Sequence, residues 1–465
     1  MLLSLSSQKN SPKVVWLSVH QFYEYHYSTL TKVIQGLSRT DQDELYKIVN
    51  EVCHVEGFEG IESNYQLFQG DTTSTFHSYS RCLEDRGYVY NAMEQISFQK
   101  KIKIGYRYSY INISGRSTLA SPHWSMPCSI ERVKTSQTSE GVLLNQLISI
   151  FNRGYFSETK LNVLVLDSGY GTPKYLGKVG ELNEEIHNNL VSIVALRRGR
   201  RVWASYQGEY KGCGSPQVYG TQYYLKDETT FCETRDKIGL GTTQAVQTVC
   251  KDYTNSKNKT YKIELSLWTS MKLRTSDGVD MKKVEFSLVR VRQIDPQTGE
   301  IKGRPLWLSV HGKRKEEIAL WDVFRLYKCR FDIEHYFRFG KQKLLLNDYQ
   351  TPEVEHYNTW HQVVAIAYWF LFAASKDVQY TCMPWEKKAS NNEQNSLLKQ
   401  ERKSPCQTKK AMELFIATFE NLVTIPKSRN KGKGRQEDAE PSKRKPHKVV
   451  RKGKNYKSKS KINSG

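Results

Sequence analysis

The chain has 465 residues, of which 38% are hydrophobic, and its formal net charge at pH 7 is +22. This length favours about two to four domains or large insertions, and this charge favours a polyanionic partner without saying which. The longest apolar run, residues 363–374, is too short to span a bilayer and predicts a buried helix instead. Residues 1–7 lack the positive charge that opens a signal peptide, so we expect no association with a membrane.

The nine cysteines are scattered along the chain, and no two form a C-x-x-C pair. Zinc sites usually need such closely spaced ligands, so the pattern argues against one. An odd number of widely spaced cysteines also suits a reducing compartment better than a disulfide framework. The sequence therefore predicts a cytoplasmic protein.

Hydrophobic spacing divides the first 197 residues into two parts. Residues 1–60 predict helices, because apolar side chains recur at helical spacing and Thr40-Asp41 can cap a second helix. From residue 61 the pattern alternates between strands and helices. The predicted strands are 65–70, 101–113, 161–166 and 190–196, with a helix over 141–156. Buried strands with helices between them predict an α/β core over residues 61–197.

The rest of the chain predicts four further segments. Residues 198–311 alternate in strand fashion and predict a β-rich insertion, after which 312–378 predict helices that complete the core. Residues 379–425 predict a helical C-terminal region. Residues 426–465 hold 15 lysines and arginines against three acidic residues. Such a segment predicts a disordered tail, which either solubilises the protein or contacts DNA nonspecifically.

The segment that follows the β-rich stretch predicts a helix with four candidate functional side chains on one face. At about 100° per residue, Tyr327, Arg330, Glu334 and Lys341 fall within an arc of about 60° on one helix. One face would then offer a phenol, two cations and a carboxylate. A solvated charged face is the other interpretation, but the segment is too aromatic for a simple surface helix. Asp332 falls on another face, at about 140°, so we expect Asp332→Asn to leave any activity of the first face nearly unchanged.

Two aspartates stand where predicted strands end. Asp71 follows the strand 65–70, and Asp167 follows the strand 161–166. A strand end is a rigid position for a metal ligand, and Gly169 and Gly171 allow the backbone to approach closely. The alternative is that each aspartate closes a turn or caps a helix.

The sequences around the two aspartates and the spacing of the four side chains that begin at Tyr327 together resemble the DDE transposases of bacterial insertion sequences. The similarity is to the group with the Tyr-(2)-Arg-(3)-Glu-(6)-Lys signature. The signature is met without a gap, and the resemblance covers roughly residues 60–375. It implies an RNase H-like catalytic core with a β-rich insertion, and helical regions at both ends. It also implies a bacterial, nucleoid-associated enzyme that acts as a homodimer on double-stranded DNA. Residues 1–60 would be a small version of the module that binds the element's ends.

The resemblance also implies a chemistry. Asp71, Asp167 and Glu334 would hold two Mg²⁺ ions about 4 Å apart, with Asp71 bridging them and Mn²⁺ able to substitute. Such a site cleaves DNA at the ends of the element, and the freed 3′-hydroxyl then attacks target DNA. Arg330 and Lys341 would grip phosphates, to which Tyr327 would donate a hydrogen bond.

A tryptophan and a group of arginines are further candidates for DNA contact. Trp307 stands where related enzymes stack a tryptophan on a flipped base, but a core tryptophan on a strand is an equal alternative. A cluster of arginines at the end of strand 190–196 is placed to follow the DNA backbone: Arg197, Arg198, Arg200 and Arg201. Two other functions stay open. One is a metal-dependent nuclease on the same core, and the other is a catalytically inactive, transposase-derived DNA-binding protein.

Overall fold

A computed structural model of the protein describes residues 1–8, 13–20, 23, 25–41, 44, 64–90, 102–118, 121–182, 184–210, 212–231, 244–254, 259–276, 278–379, 402–419 and 444–451. The chain divides into two compact units. The first unit comprises Met1–Glu59, Thr72–Ser139 and Asp332–Gly465, and the second comprises Gly60–Asp71 and Glu140–Phe331. Each unit is described by itself.

The structure contains the predicted strands at 65–70, 101–113, 161–166 and 190–196 and the predicted helix at 141–156, with shifted ends, and adds β2 and β4, which the sequence does not predict. The helices are α1 Leu2–Ser7, α2 Tyr27–Leu37, α3 Ser139–Asn152, α4 Pro173–Val179, α5 Glu184–Asn189, α6 Leu320–Lys328, α7 Phe331–Lys343, α8 Val354–Ala374 and α9 Pro405–Ala417. The strands are β1 Tyr65–Phe76, β2 Gly87–Tyr90, β3 Ile102–Ser114, β4 Ser125–Val133, β5 Leu161–Leu166, β6 Leu190–Leu196, β7 Arg201–Ser205, β8 Tyr219–Tyr224, β9 Gln247–Thr254, β10 Thr260–Lys272, β11 Phe286–Ile294 and β12 Ile301–His311. Short 3-10 turns cover Val14–Val19, Glu228–Phe231 and Lys315–Glu317. The α/β class is confirmed.

A mixed sheet forms the second unit. Its strands lie in the order β1-β5-β6-β12-β11-β10-β7-β8, and β9 pairs with β10. The pairs β1–β5 and β5–β6 are parallel. Every residue of β5 and β6 is buried, as expected for parallel strands covered on both faces. The predicted strands 161–166 and 190–196 are thus confirmed.

The β-rich segment 198–311 contains β7 to β12, as predicted, but it does not form a sheet of its own. Strand β12 pairs antiparallel with β6, so that Trp307 lies opposite Leu196. The segment therefore extends the sheet that β1, β5 and β6 begin. Hydrophobic alternation predicts that these residues are strands, but it does not determine which strand they pair with.

The first unit combines helices with an antiparallel group of strands, in which β3 pairs with β2 and with β4. Helix α8 contains the apolar run 363–374 and is mostly buried, as predicted. Helices α1, α2 and α9 contact it. Hence the described part of residues 1–60 belongs to this unit's core rather than to a separate module. The predicted second helix after Thr40 lies almost wholly outside the described residues.

Part of the predicted disordered tail is ordered. Residues 444–451 lie along β2, where the backbone N–H of His447 donates to the Arg81 carbonyl at 2.9 Å and that of Val450 to the Arg86 carbonyl at 2.8 Å. The prediction of disorder is wrong for this stretch, because two of its backbone donors find acceptors in the loop before β2. The rest of 426–465 lies outside the described residues. Among the described helices, none is both long and apolar enough to cross a membrane.

Candidate active site

The two aspartates of the second unit lie on neighbouring parallel strands. Gly70 of β1 pairs with Leu166 of β5, so Asp71 and Asp167 directly follow paired residues. A Cβ at Gly70 would lie 2.5 Å from Cδ2 of Leu166, which explains the glycine at this close crossing. Asp167 stands just after its strand, as predicted. Asp71 does not, because β1 continues to Phe76.

The loop after β5 holds Asp167 in place. Its Oδ1 accepts a hydrogen bond from the Gly169 N–H at 2.9 Å, so the turn interpretation also applies to this residue. A Cβ at Gly171 would lie 2.4 Å from the Ala195 carbonyl oxygen, and the predicted close backbone approach is confirmed there. Thr172 then caps α4 by accepting from the Tyr175 N–H.

Arg330 lies beside Asp71. Its Nη1 is 3.6 Å from Oδ2 of Asp71, and its guanidinium lies 4.5 Å from the centre of the Phe331 ring. The amide of Gln69, two residues before Asp71, donates to the Cys329 carbonyl at 3.1 Å. Gln69 thus ties the end of α6 to β1 and holds Arg330 near the carboxylate. No motif in the sequence marks Gln69.

Tyr327 completes this group. The side chain is buried, and burial together with the charges of Asp167 and Asp71 raises the pKa of its phenol to about 12, although Arg330 opposes this rise. The phenol therefore stays protonated at neutral pH and can donate a hydrogen bond to a phosphate. Tyr327, Arg330, Asp71 and Asp167 thus form one electrostatically coupled group in the second unit.

The prediction that one helix carries Tyr327, Arg330, Glu334 and Lys341 is wrong. Helix α6 ends at Lys328, and α7 begins at Phe331. Between them the Arg330 N–H bonds the Tyr327 carbonyl at 3.0 Å, which is the tighter i→i+3 pattern that closes many helices. No glycine or proline marks this break in the sequence. Glu334 and Lys341 lie on α7, in the first unit.

Asp332, at the start of α7, is the centre of a buried ion pair. Nε of Arg116 lies 2.5 Å from its Oδ2, and Nδ1 of His123 lies 2.7 Å from its Oδ1. Burial opposes ionisation, but hydrogen bonds from His123 and Arg116 and the Arg116 charge outweigh it and hold the pKa of Asp332 below its usual value. Asp332 thus belongs to a buried ion pair, whose loss should cost stability, and the expectation that Asp332→Asn keeps its activity stays a prediction.

Lys341 is half-buried, and burial lowers the pKa of its ammonium group from 10.5 to about 8. The charged form is therefore less stable in the fold than in water. We expect Lys341→Met to raise the free energy of unfolding at pH 7 by about 1–2 kcal/mol. In the parent, stability should rise between pH 8 and 10.5, since the unfolded chain then binds more protons.

Urea unfolding at pH 7 and 9.5 measures both effects, with Lys343→Met, an exposed position of the same helix, as control. A variant less stable than the parent at pH 7 would mean that the ammonium group is stabilising.

The donor chemistry suits a divalent metal only in part. Asp71 and Asp167 offer the hard oxygen ligands that Mg²⁺ prefers. Across the described ranges, however, no group of three or more His, Cys, Asp or Glu stands in an arrangement that could hold a metal ion. The predicted third ligand, Glu334, belongs to the other unit.

Trp307 is a core residue. It is 1% exposed, its indole N–H donates to the Leu225 carbonyl at 3.0 Å, and its ring stacks on Phe231 with centroids 4.9 Å apart. The predicted stacking on a flipped base is wrong for this structure, because both the face and the polar tip of the ring are occupied. The alternative of a core tryptophan is confirmed.

Two further basic surfaces belong to the second unit. The predicted arginine cluster lies on the turn between β6 and β7, where Arg197 and Arg201 are exposed. A pocket of about 460 Å³ adjoins Tyr327 and is lined by aromatic and cationic side chains, which sequence reasoning missed: Tyr253, Tyr261, Phe324, Phe331, Lys302, Arg304 and Lys328. A larger pocket, of about 620 Å³, is lined by none of the predicted site residues.

Comparisons with known proteins add little. No protein-family profile and no curated protein matches this chain. Among solved structures, it is similar to a piggyBac transposase in a synaptic complex with hairpin DNA, at 8% identity and a TM-score of 0.33. The alignment covers 76% of this chain and 52% of that one, so the chain spans about half of that protein's length. At this identity and TM-score the similarity decides neither the family nor the activity.

Proposed function

We propose that this chain is a metal-dependent DNA transposase, in which Asp71, Asp167 and Glu334 are the catalytic carboxylates. The observation that carries the proposal is the pairing of β1 with β5, which brings Asp71 and Asp167 together beside Tyr327 and Arg330. Glu334 is assigned as the third carboxylate from the sequence, because it follows Arg330 by four residues, which is the spacing of the signature.

An RNase H-like core is part of the proposal. The chain enters on β1, forms the antiparallel pair β3–β4, and then returns through α3 to β5 and through α4 and α5 to β6, both parallel to their neighbours. In sheets of this kind, functional groups gather at the carboxyl ends of the parallel strands. Asp167 lies at such an end and Asp71 follows the last residue paired with β5, which supports a site there.

The roles of the residues follow from their surroundings. Two divalent ions held at the carboxylates would supply an activated water and stabilise the leaving oxygen of a phosphodiester. Arg330, now 3.6 Å from Asp71, would turn to a phosphate once that carboxylate is neutralised. Tyr327 would donate a hydrogen bond from its phenolic O–H to the same phosphate, and Lys341 would provide a second cation.

The pocket beside Tyr327 supports a nucleic-acid substrate. Its wall contains both rings and cations, which is the combination that holds bases and phosphates of a DNA strand. We propose this pocket, in place of Trp307, as the strand-contacting surface near the site, with the turn at Arg197 following the duplex backbone. Homodimer formation on DNA and a location at the bacterial nucleoid remain part of the proposal.

Arg330→Ala should weaken DNA binding and cleavage together, by about 1–3 kcal/mol each, because a charge-assisted bond to phosphate is lost. Binding is measured by anisotropy without metal, and cleavage in Mg²⁺. The matched control is Arg314→Ala, which removes an arginine of the same unit that pairs with Glu317. Unchanged binding by the Arg330 variant would show that this guanidinium serves Asp71 alone.

The test of the function is cleavage of the DNA that flanks the gene. The purified chain, incubated with such duplexes in Mg²⁺, should release 3′-hydroxyl ends at fixed positions and join them to a second duplex. Cleavage without joining would favour the nuclease. Specific binding with no cleavage in Mg²⁺ or Mn²⁺ would favour the inactive DNA-binding protein.

A further inference from the structure

The C-terminal stretch 444–451 occupies a built docking site in the first unit. Val450 forms a parallel bridge with Gly87 of β2, and two backbone N–H groups of the stretch donate to the carbonyls of Arg81 and Arg86. The guanidinium of Arg86, which is 3% exposed, donates in turn to the His447 carbonyl at 3.2 Å. These contacts join residues that lie some 360 positions apart in the chain.

The loop that receives residues 444–451 is held in place by its own hydrogen bonds. Arg86 is fixed by its own loop, since its Nε donates to the Leu83 carbonyl at 3.2 Å and its Nη1 to the His77 carbonyl at 3.1 Å. One arm of the guanidinium is thus presented to the incoming backbone. On the other side, β2 pairs with β3, and the stretch reaches its free edge at the first residue, Gly87.

Side chains add charge complementarity. Arg444 lies 3.6 Å from Glu353, and His447 lies 3.6 Å from Glu84. Both contacts are partly exposed, so each adds little stability by itself, but together they favour a basic strand over an acidic one. Lys445, Lys448 and Arg451 are exposed to solvent, so the docked strand still presents cations outward.

We propose that residues 444–451 are a docking strand that fixes the basic C-terminal arm to the edge of β2, so that the arm binds DNA phosphates from a defined place. The sequence after the strand, residues 452–465, holds five lysines and no acidic residue. A cation run that begins at a fixed point meets bound DNA at a higher effective concentration than one on a long free tether. The proposal rests on the DNA-binding part of the proposed function.

The experiment compares the full chain with a variant that loses the docking donors but no lysine or arginine. In His447→Pro/Val450→Pro both N–H donors are gone, whereas Val449→Pro, whose N–H makes no hydrogen bond within the described part of the chain, is the matched control. Resistance of the chain to trypsin after Arg451, an exposed residue of the stretch, reports docking. Anisotropy with a short labelled duplex, over a salt series and without metal, reports DNA affinity.

We expect the parent and the control to be protected from cleavage after Arg451, and the double variant to be cut readily there and to bind DNA about 3- to 10-fold more weakly. Deleting residues 452–465 should reduce the salt dependence, since fewer counterions are released. Three results would overturn the proposal: no protection in the parent, protection that survives in the double variant, or release of the strand with unchanged affinity. A failure of cleavage alone would count against the transposase and leave this result standing.

Discussion

Asp167→Asn should lower Mg²⁺-dependent DNA cleavage by about 10³-fold, because a neutral amide cannot hold a metal whose contribution is worth several kcal/mol. Asp71→Asn should behave alike, since both residues follow the paired positions Gly70 and Leu166. DNA affinity without metal should hardly change, or should rise slightly as negative charge is removed.

The control for these variants is Asp252→Asn, an exposed aspartate on β9 of the same unit. It makes the same chemical change at a position outside the proposed site, and cleavage should stay at the parent level. Binding of Mn²⁺, followed by electron paramagnetic resonance, should weaken in the Asp71 and Asp167 variants and persist in the control. Equal Mn²⁺ binding in all the variants would show that these two carboxylates are not ligands.

Asp332→Asn should lower the free energy of unfolding by about 3–5 kcal/mol, the usual cost of breaking a buried ion pair by removing one partner. Asp332 is 1% exposed and Arg116 is 6% exposed, so a buried guanidinium would lose the carboxylate that accepts from its Nε and Nη2. Urea unfolding monitored by circular dichroism measures the change, and Glu355→Gln, an exposed carboxylate of α8, is the control.

A second variant separates the ion pair from simple loss of packing. Replacing both partners, in Arg116→Met/Asp332→Leu, removes the charges together and should recover much of the lost stability. If Asp332→Asn unfolds at the same urea concentration as the parent, the pair contributes nothing and the variant can serve as a neutral control for Glu334 after all.

Hydrophobic periodicity predicts where the buried helices and strands of this chain lie, but it does not predict where a helix breaks. The strands 161–166 and 190–196 and the helix at 363–374 are found where apolar runs predict them, because burial alone determines such segments. The break between α6 and α7 is not predictable in the same way, since it arises from i→i+3 bonds at Cys329 and Arg330 in a stretch of ordinary helix formers. A helical wheel drawn through a break gives the wrong faces beyond it.

Residues that act through tertiary contacts were also beyond prediction. Gln69 has a role only because the Cys329 carbonyl lies opposite it. Asp332 was judged from its angle on a helix, but its partner Arg116 lies 216 residues away. The docked strand 444–451 looks disordered by composition, and only the acceptors at β2 make it ordered.

The most direct measurement is single-turnover cleavage of end DNA by the parent and by Glu334→Gln, in Mg²⁺ at matched occupancy. Glutamine keeps the size of the side chain and its capacity for hydrogen bonds but removes the charge that a metal ligand needs. The parent should cut, and Glu334→Gln should be slower by about 10³-fold with unchanged affinity. If Glu334→Gln cuts at the parental rate, Glu334 is not the third carboxylate, and the match to the signature is accidental.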